Sequence, residues 1–127
     1  MSVQHPAAAG RPEAGPVMTR AVVRAAEQLR LNARILASVI GVSEATVSRM
    51  KRGEFKLEPG TKPFELAVLF VRLFRSLDAI VGGDNAVAAA WIANPNTALD
   101  ARPIEKLQTV SGLVDVIAYL DARRALI

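Results

Sequence analysis

The chain contains no cysteine and a single histidine, His5. The first absence removes disulfides, thiolate metal sites and cysteine nucleophiles, and the second removes paired-imidazole chemistry and His-rich metal centres. Aromatic side chains are scarce, with one Trp, one Tyr and four Phe. A membrane-spanning run is missing as well. The most apolar stretch, Phe64 to Val81, carries Glu65, Arg72, Arg75 and Asp78, and charges at that density make a bilayer span very costly. The first 16 residues lack a secretory pattern. With three Pro and two Gly they read as a flexible lead-in that cannot bury enough surface to fold alone, and His5 within it has no specific task. No Gly-rich phosphate loop or activated serine is visible, and Asp78, Asp84 and Asp115 are spaced for solvated faces and caps. The expectation is a cytoplasmic binding protein and not an enzyme, with no catalytic residue, metal, cofactor, small-molecule substrate or membrane partner.

What the chain does have is apolar content and an uneven charge. Its 127 residues are 51% hydrophobic, enough for one compact domain or two small helical units sharing a core. Residues 1–52 hold eight Lys/Arg and three Asp/Glu, a net of +5, whereas residues 53–127 hold eight and nine, a net of −1. The excess positive charge lies wholly in the first half, which points to an anionic partner there.

Apolar spacing predicts an all-α fold, because no segment alternates with period 2 between turn signals. A first helix is expected over about Thr19 to Arg30, with Val22, Val23, Ala26 and Leu29 on one side. A second covers Ala33 to Ile40 and stops at Gly41. A third follows Ser43, a capping hydroxyl, and ends at Gly53, suited to the left-handed position after a helix. Residues 54–62 form a loop with a Pro59-Gly60 turn. A long fourth helix, Pro63 to Val81, is apolar around most of its circumference, which suits a central core helix or a dimer seam. Shorter helices follow over Asp84–Ala93 and Pro103–Leu107, separated by the Asn94-Pro95-Asn96 turn, and a last one runs from Ser111 to Arg124.

The sharpest local pattern is a helix-turn-helix between Ala33 and Arg52. Two helices crossing steeply through a short turn need a small residue at the crossing, a glycine in the turn and apolar side chains in the wedge. Ala37, Gly41 and the set Leu36, Ile40, Val42, Val47 and Met50 fill those roles. The polar remainder, Ser43, Glu44, Thr46, Ser48, Arg49, Lys51 and Arg52, has the composition of a helix that enters a DNA groove: short hydroxyls near the N-terminus and cations that reach further. Glu44 could read a cytosine or cap the helix. Arg20, Arg24, Arg30 and Arg34 could touch the phosphate backbone or be solvated. The alternative to DNA binding is a helical hairpin with a solvated polar face. About four to six phosphate contacts from one motif bind weakly and with steep salt dependence, so a homodimer presenting two motifs about 34 Å apart is expected.

The second half carries a family resemblance. Phe64-Glu65-Leu66-Ala67, Phe74-Arg75-Ser76-Leu77-Asp78 and Val81-Gly82-Gly83-Asp84 are followed by Ala90-Trp91-Ile92, Asn94-Pro95-Asn96, Leu99, Arg102-Pro103-Ile104, Leu107, Thr109, Gly112, Val116 and Tyr119-Leu120. This string resembles the Xre/MbcA/ParS antitoxins over roughly residues 19–124. The resemblance implies a type II antitoxin paired with a RES-domain toxin, an enzyme that depletes NAD. It implies a C-terminal domain that obstructs the toxin's active-site entrance and a helix-turn-helix that represses the shared operon as a dimer. Toward such a toxin the final Arg123, Arg124, Ala125, Leu126 and Ile127 offer cations beside an apolar tip, able to compete with pyrophosphate. The expected organisation is a lead-in (1–16), a helix-turn-helix domain (17–62), a shared central and dimerisation helix (63–83) and a C-terminal toxin-binding domain (84–127). The alternative function is a stand-alone dimeric repressor with no toxin partner.

Overall fold

The computed structural model describes residues 13–126, and His5 and Ile127 lie outside them. Among the described residues there are seven α-helices: α1 (Ala14–Gln28), α2 (Ala33–Ile40), α3 (Glu44–Lys51), α4 (Lys62–Ile80), α5 (Asn85–Ala93), α6 (Pro103–Lys106) and α7 (Val110–Arg124). No strand occurs among them, only an isolated antiparallel bridge between Asn96 and Ala101. The all-α class and the order of the elements agree with the sequence patterning.

Local side chains fix most helix starts. Asn32, Ser43, Thr61, Asp84 and Thr109 each accept a hydrogen bond from a backbone N–H of the turn they open, which satisfies donors that the helix itself cannot reach. Pro63 falls in the first turn of α4, where its missing N–H costs nothing.

The long helix α4 packs against α1, α2, α5 and α7. Phe70, Leu73, Leu77 and Ala67 on it are fully or almost fully buried, in one continuous core with Val22, Leu36, Ile40, Leu113 and Leu120. Its near-complete apolar circumference is therefore taken up within the chain, leaving Val68 as its exposed large hydrophobic residue. N-terminal and C-terminal helices are attached to the same rod.

The start of the chain departs from the expected lead-in. Helix α1 begins at Ala14, five residues before the expected Thr19, and Gly15 is buried. A Cβ at Gly15 would stand 2.5 Å from the Leu57 carbonyl oxygen, so the helix meets the loop after α3 at a distance only glycine permits. Pro16 sits in that first turn, where no intrahelical donor is lost. Thr19 is the second tie: its hydroxyl donates to the Gly15 carbonyl at 2.7 Å and accepts from the Leu57 N–H at 2.8 Å. The breaker-rich segment is helical with its glycine and the following threonine both set against Leu57, which lies 38 positions beyond Thr19.

The end of α1 also comes earlier than expected. Arg30 lies outside the helix with φ +59°; its N–H bonds to the Glu27 carbonyl and that of Leu31 to the Ala26 carbonyl. This is the hydrogen-bond pattern of a Schellman stop, with an arginine where glycine is usual.

Candidate functional site

The crossing of α2 and α3 is built as the small-residue pattern demands. The Ala37 carbonyl accepts from both Gly41 and Val42 N–H, at 2.9 and 3.2 Å, and Gly41 takes φ +74°. Leu36, Ile40 and Val47 are completely buried and Met50 nearly so, while Val42 is half-buried. Each fully buried side chain of this size contributes about 1.5–3 kcal/mol, so the wedge holds α3 firmly in place without any contact from its outer face.

That outer face carries the seven predicted residues. Ser43, Glu44, Arg49, Lys51 and Arg52 are exposed, and Thr46 and Ser48 are half-buried. The structure divides their roles. Ser43 is the helix cap: its Oγ accepts from the Thr46 N–H at 3.0 Å and donates to Thr46 Oγ1 at 2.9 Å. Glu44 is not the cap; it sits in the first turn, where a carboxylate is favourable beside the positive end of the helix dipole.

The two arginines differ most. Arg49 donates from Nη2 to Thr46 Oγ1 at 3.1 Å, and its guanidinium lies 5.4 Å from the centre of the Phe55 ring. An exposed cation–π contact contributes about 0.5–1 kcal/mol, enough to bias the side chain toward one pose. Arg52 instead pairs with Glu54 at 3.1 Å, both more than half exposed. A surface ion pair of this kind is worth about 0–1 kcal/mol, and the Glu54 carboxylate offsets the Arg52 charge presented at that point. Arg20, Arg24, Arg30 and Arg34 are all exposed.

The C-terminal half presents a different kind of surface. Helix α7 buries Leu113, Val116, Ile117 and Leu120 and runs closely past the end of α6: a Cβ at Gly112 would collide with the Lys106 carbonyl oxygen. Trp91 and Tyr119 stack with ring centres 6.1 Å apart, half-buried at the edge of the core. The Asn94-Pro95-Asn96 turn is closed by mutual hydrogen bonds between Asn96 and Ala101, and Asn96 Oδ1 accepts from the Leu99 N–H at 3.1 Å.

Of the predicted tail residues, those described, Arg123 to Leu126, continue α7. Arg123 and Arg124 form the last turn of α7, and Ala125 and Leu126 continue it by hydrogen bonds to the Asp121 and Arg123 carbonyls. Arg123 donates to the Tyr119 hydroxyl at 2.7 Å, and Arg124 turns back toward Ser76 Oγ at 3.4 Å. Leu126 is 82% exposed. The two cations therefore diverge, one lying along α7 and one pointing to α4.

Sequence reasoning missed a second feature of α7. Val110 and Val114 are 60% and 48% exposed, one turn apart and off the core stripe. The signal was present in the sequence, since α7 is apolar at these two positions as well as at the four that fill the core. A helix with two apolar stripes has one to spare.

A buried wedge, a three-residue turn and an outward cationic helix define the helix-turn-helix class of DNA-binding proteins. Comparison with known families carries the assignment further. A family model for the antitoxin Xre-like helix-turn-helix domain matches residues 8–72, and one for the antitoxin Xre/MbcA/ParS C-terminal toxin-binding domain matches residues 76–125. The chain belongs to the Xre-like helix-turn-helix antitoxins, with a DNA-binding part followed by a toxin-binding part. No curated protein matches it significantly. Among the described residues no helix is long and apolar enough to cross a membrane.

Proposed function

We propose that the chain is a cytoplasmic, non-catalytic antitoxin that neutralises a RES-domain, NAD-depleting toxin and represses its own operon as a homodimer. The reading is carried by one observation: a helix-turn-helix with an outward cationic face and a match to a toxin-binding domain occupy the same chain. Ser43, Glu44, Thr46, Ser48, Arg49, Lys51 and Arg52 form the operator face. Within it Arg49 reads a base edge, because Thr46 and Phe55 hold it ready, and a bidentate arginine–guanine pair supplies about 1–3 kcal/mol of discrimination. Ser43, Lys51 and Arg52 serve the phosphates, and residues 17–62 act as the operator-binding unit.

Residues 84–127 meet the toxin. The apolar stripe of Val110 and Val114 supplies contact area, and the tip Arg123, Arg124, Ala125, Leu126 and Ile127 reaches the active-site entrance, where cations compete with the pyrophosphate of NAD. Helix α4 is nearly consumed by the chain's own core, so little of it is left for a dimer seam.

Co-expression with the adjacent gene product tests the reading. A stable complex by size exclusion, and NAD consumption by the neighbour that stops on complex formation, are the expected results. A neighbour that never copurifies points instead to a stand-alone repressor. Deleting residues 123–127 should weaken neutralisation without loss of fold, since terminal residues seldom stabilise a domain.

A further inference from the structure

A cleft of about 750 Å³ opens where α1, α4 and α7 converge, away from the outer face of α3 and from the Val110–Val114 stripe. Its floor is apolar, made by Met18, Val68 and Val71, and its rim carries Arg72, Arg75 and Arg124. A smaller adjoining cleft of about 180 Å³ shares Val71 and Arg75 and extends to Arg24. Together they follow α1 from Met18 to Gln28, about 15 Å at the helical rise. Val17 and Val68 beside them are 49% and 39% exposed.

Four arginines, Arg24, Arg72, Arg75 and Arg124, line this trough with a single acidic residue, Asp121. That carboxylate is already engaged: Oδ2 accepts from Arg72 Nη2 at 2.5 Å and Oδ1 from the hydroxyl of Ser76, which is itself 1% exposed. Among the described residues Arg24 and Arg75 have no ion-pair partner. The cleft thus holds an internal anion at one end and unneutralised cations along the rest. Like charges gathered beside an apolar floor favour an occupant that brings carboxylates and apolar side chains together.

We infer that this trough is a docking site for an acidic amphipathic helix of a protein partner. The helix lays its apolar stripe on Met18, Val68 and Val71 and places its carboxylates toward Arg24 and Arg75, the groove mode of helix recognition. Asp121 is the built-in competitor for Arg72. A nucleic-acid backbone would satisfy the cations but leave the apolar floor uncovered, so a peptide is the better match. The inference does not depend on the identity of the toxin.

The test uses the full chain and a synthetic 18-residue helical peptide with leucines at helical spacing flanked by glutamates, alongside the same peptide with glutamine in place of glutamate. Fluorescence anisotropy at low salt should show binding of the glutamate peptide and at least tenfold weaker binding of the glutamine one. Arg24→Glu with Arg75→Glu should cost the glutamate peptide tenfold or more, and Val68→Asp should do so independently, with circular dichroism unchanged in both. Asp121→Asn should tighten binding a few-fold by releasing Arg72. Absence of binding, equal binding of both peptides, or indifference to the charge reversals would overturn the proposal. So would a wild-type dimer in size exclusion that the reversals convert to monomer, or competition in which random-sequence duplex DNA displaces the peptide and loses affinity with the reversals.

Discussion

Helices α3 and α7 are both exposed on one side and buried on the other, yet they present opposite surfaces. On α3 everything outward is short or charged, and Thr46 and Phe55 bias Arg49 toward one pose. On α7 the outward side keeps Val110 and Val114, and its terminal cations fold back onto Tyr119 and Ser76. A polymer of phosphates rewards cations held ready in solvent, whereas another protein rewards apolar area that solvent would rather not cover. On the proposed reading the two faces meet different kinds of partner.

The shared rod is where this comparison can be broken outright. Phe70 is fully buried on α4, so Phe70→Ala should cost about 3–5 kcal/mol and lower both operator affinity and toxin neutralisation together. Urea denaturation followed by both binding assays checks this. Loss of one function alone would show that the halves fold separately.

Surface variants should then separate what that core variant joins. Val110→Asp with Val114→Asp is expected to reduce toxin binding a hundredfold or more while an operator gel shift stays unchanged. In the other direction, Arg49→Ala should cost about 1–3 kcal/mol of operator affinity, against 1 kcal/mol or less for Arg52→Ala, which Glu54 already partly neutralises. Equal losses for the two arginines would contradict the division of roles on α3. Two stability measurements sharpen the picture further. Thr19→Val leaves the Leu57 N–H without a buried acceptor and should destabilise the chain by about 1–3 kcal/mol. The smallest effect is a gain: Arg30→Gly relieves the left-handed arginine and should add up to about 1 kcal/mol, read as a rise in melting temperature.

These two helices also differ in how far the sequence reveals them. The helix-turn-helix could be read in advance because its determinants lie within Asn32 to Gly53: the caps, Gly41, Ala37 and the wedge all act on neighbours in the chain. The ties from Thr19 to Leu57 and from Ser76 to Asp121 join residues 38 and 45 positions apart. Periodicity reports that a face is apolar, not which face it meets. The same blindness explains the N-terminal boundary. Gly15 and Pro16 look like helix breakers until Leu57 stands against them. It explains α4 as well, whose apolar circumference suits a core helix and a subunit seam equally well until α1, α2, α5 and α7 are placed around it. The tail was legible as cationic, but the divergence of Arg123 from Arg124 depends on Tyr119 one turn back and on Ser76 from another helix.

Helix α4 has a further consequence, for the lifetime of the chain. A single rod packs against both halves, so where they open together any ligand that holds either half shut protects the other from cleavage. A partner present at a hundredfold its dissociation constant adds about 2.7 kcal/mol of protection, wherever it binds. On the proposed reading, DNA bound at α3 would therefore slow proteolytic turnover of the C-terminal half as well.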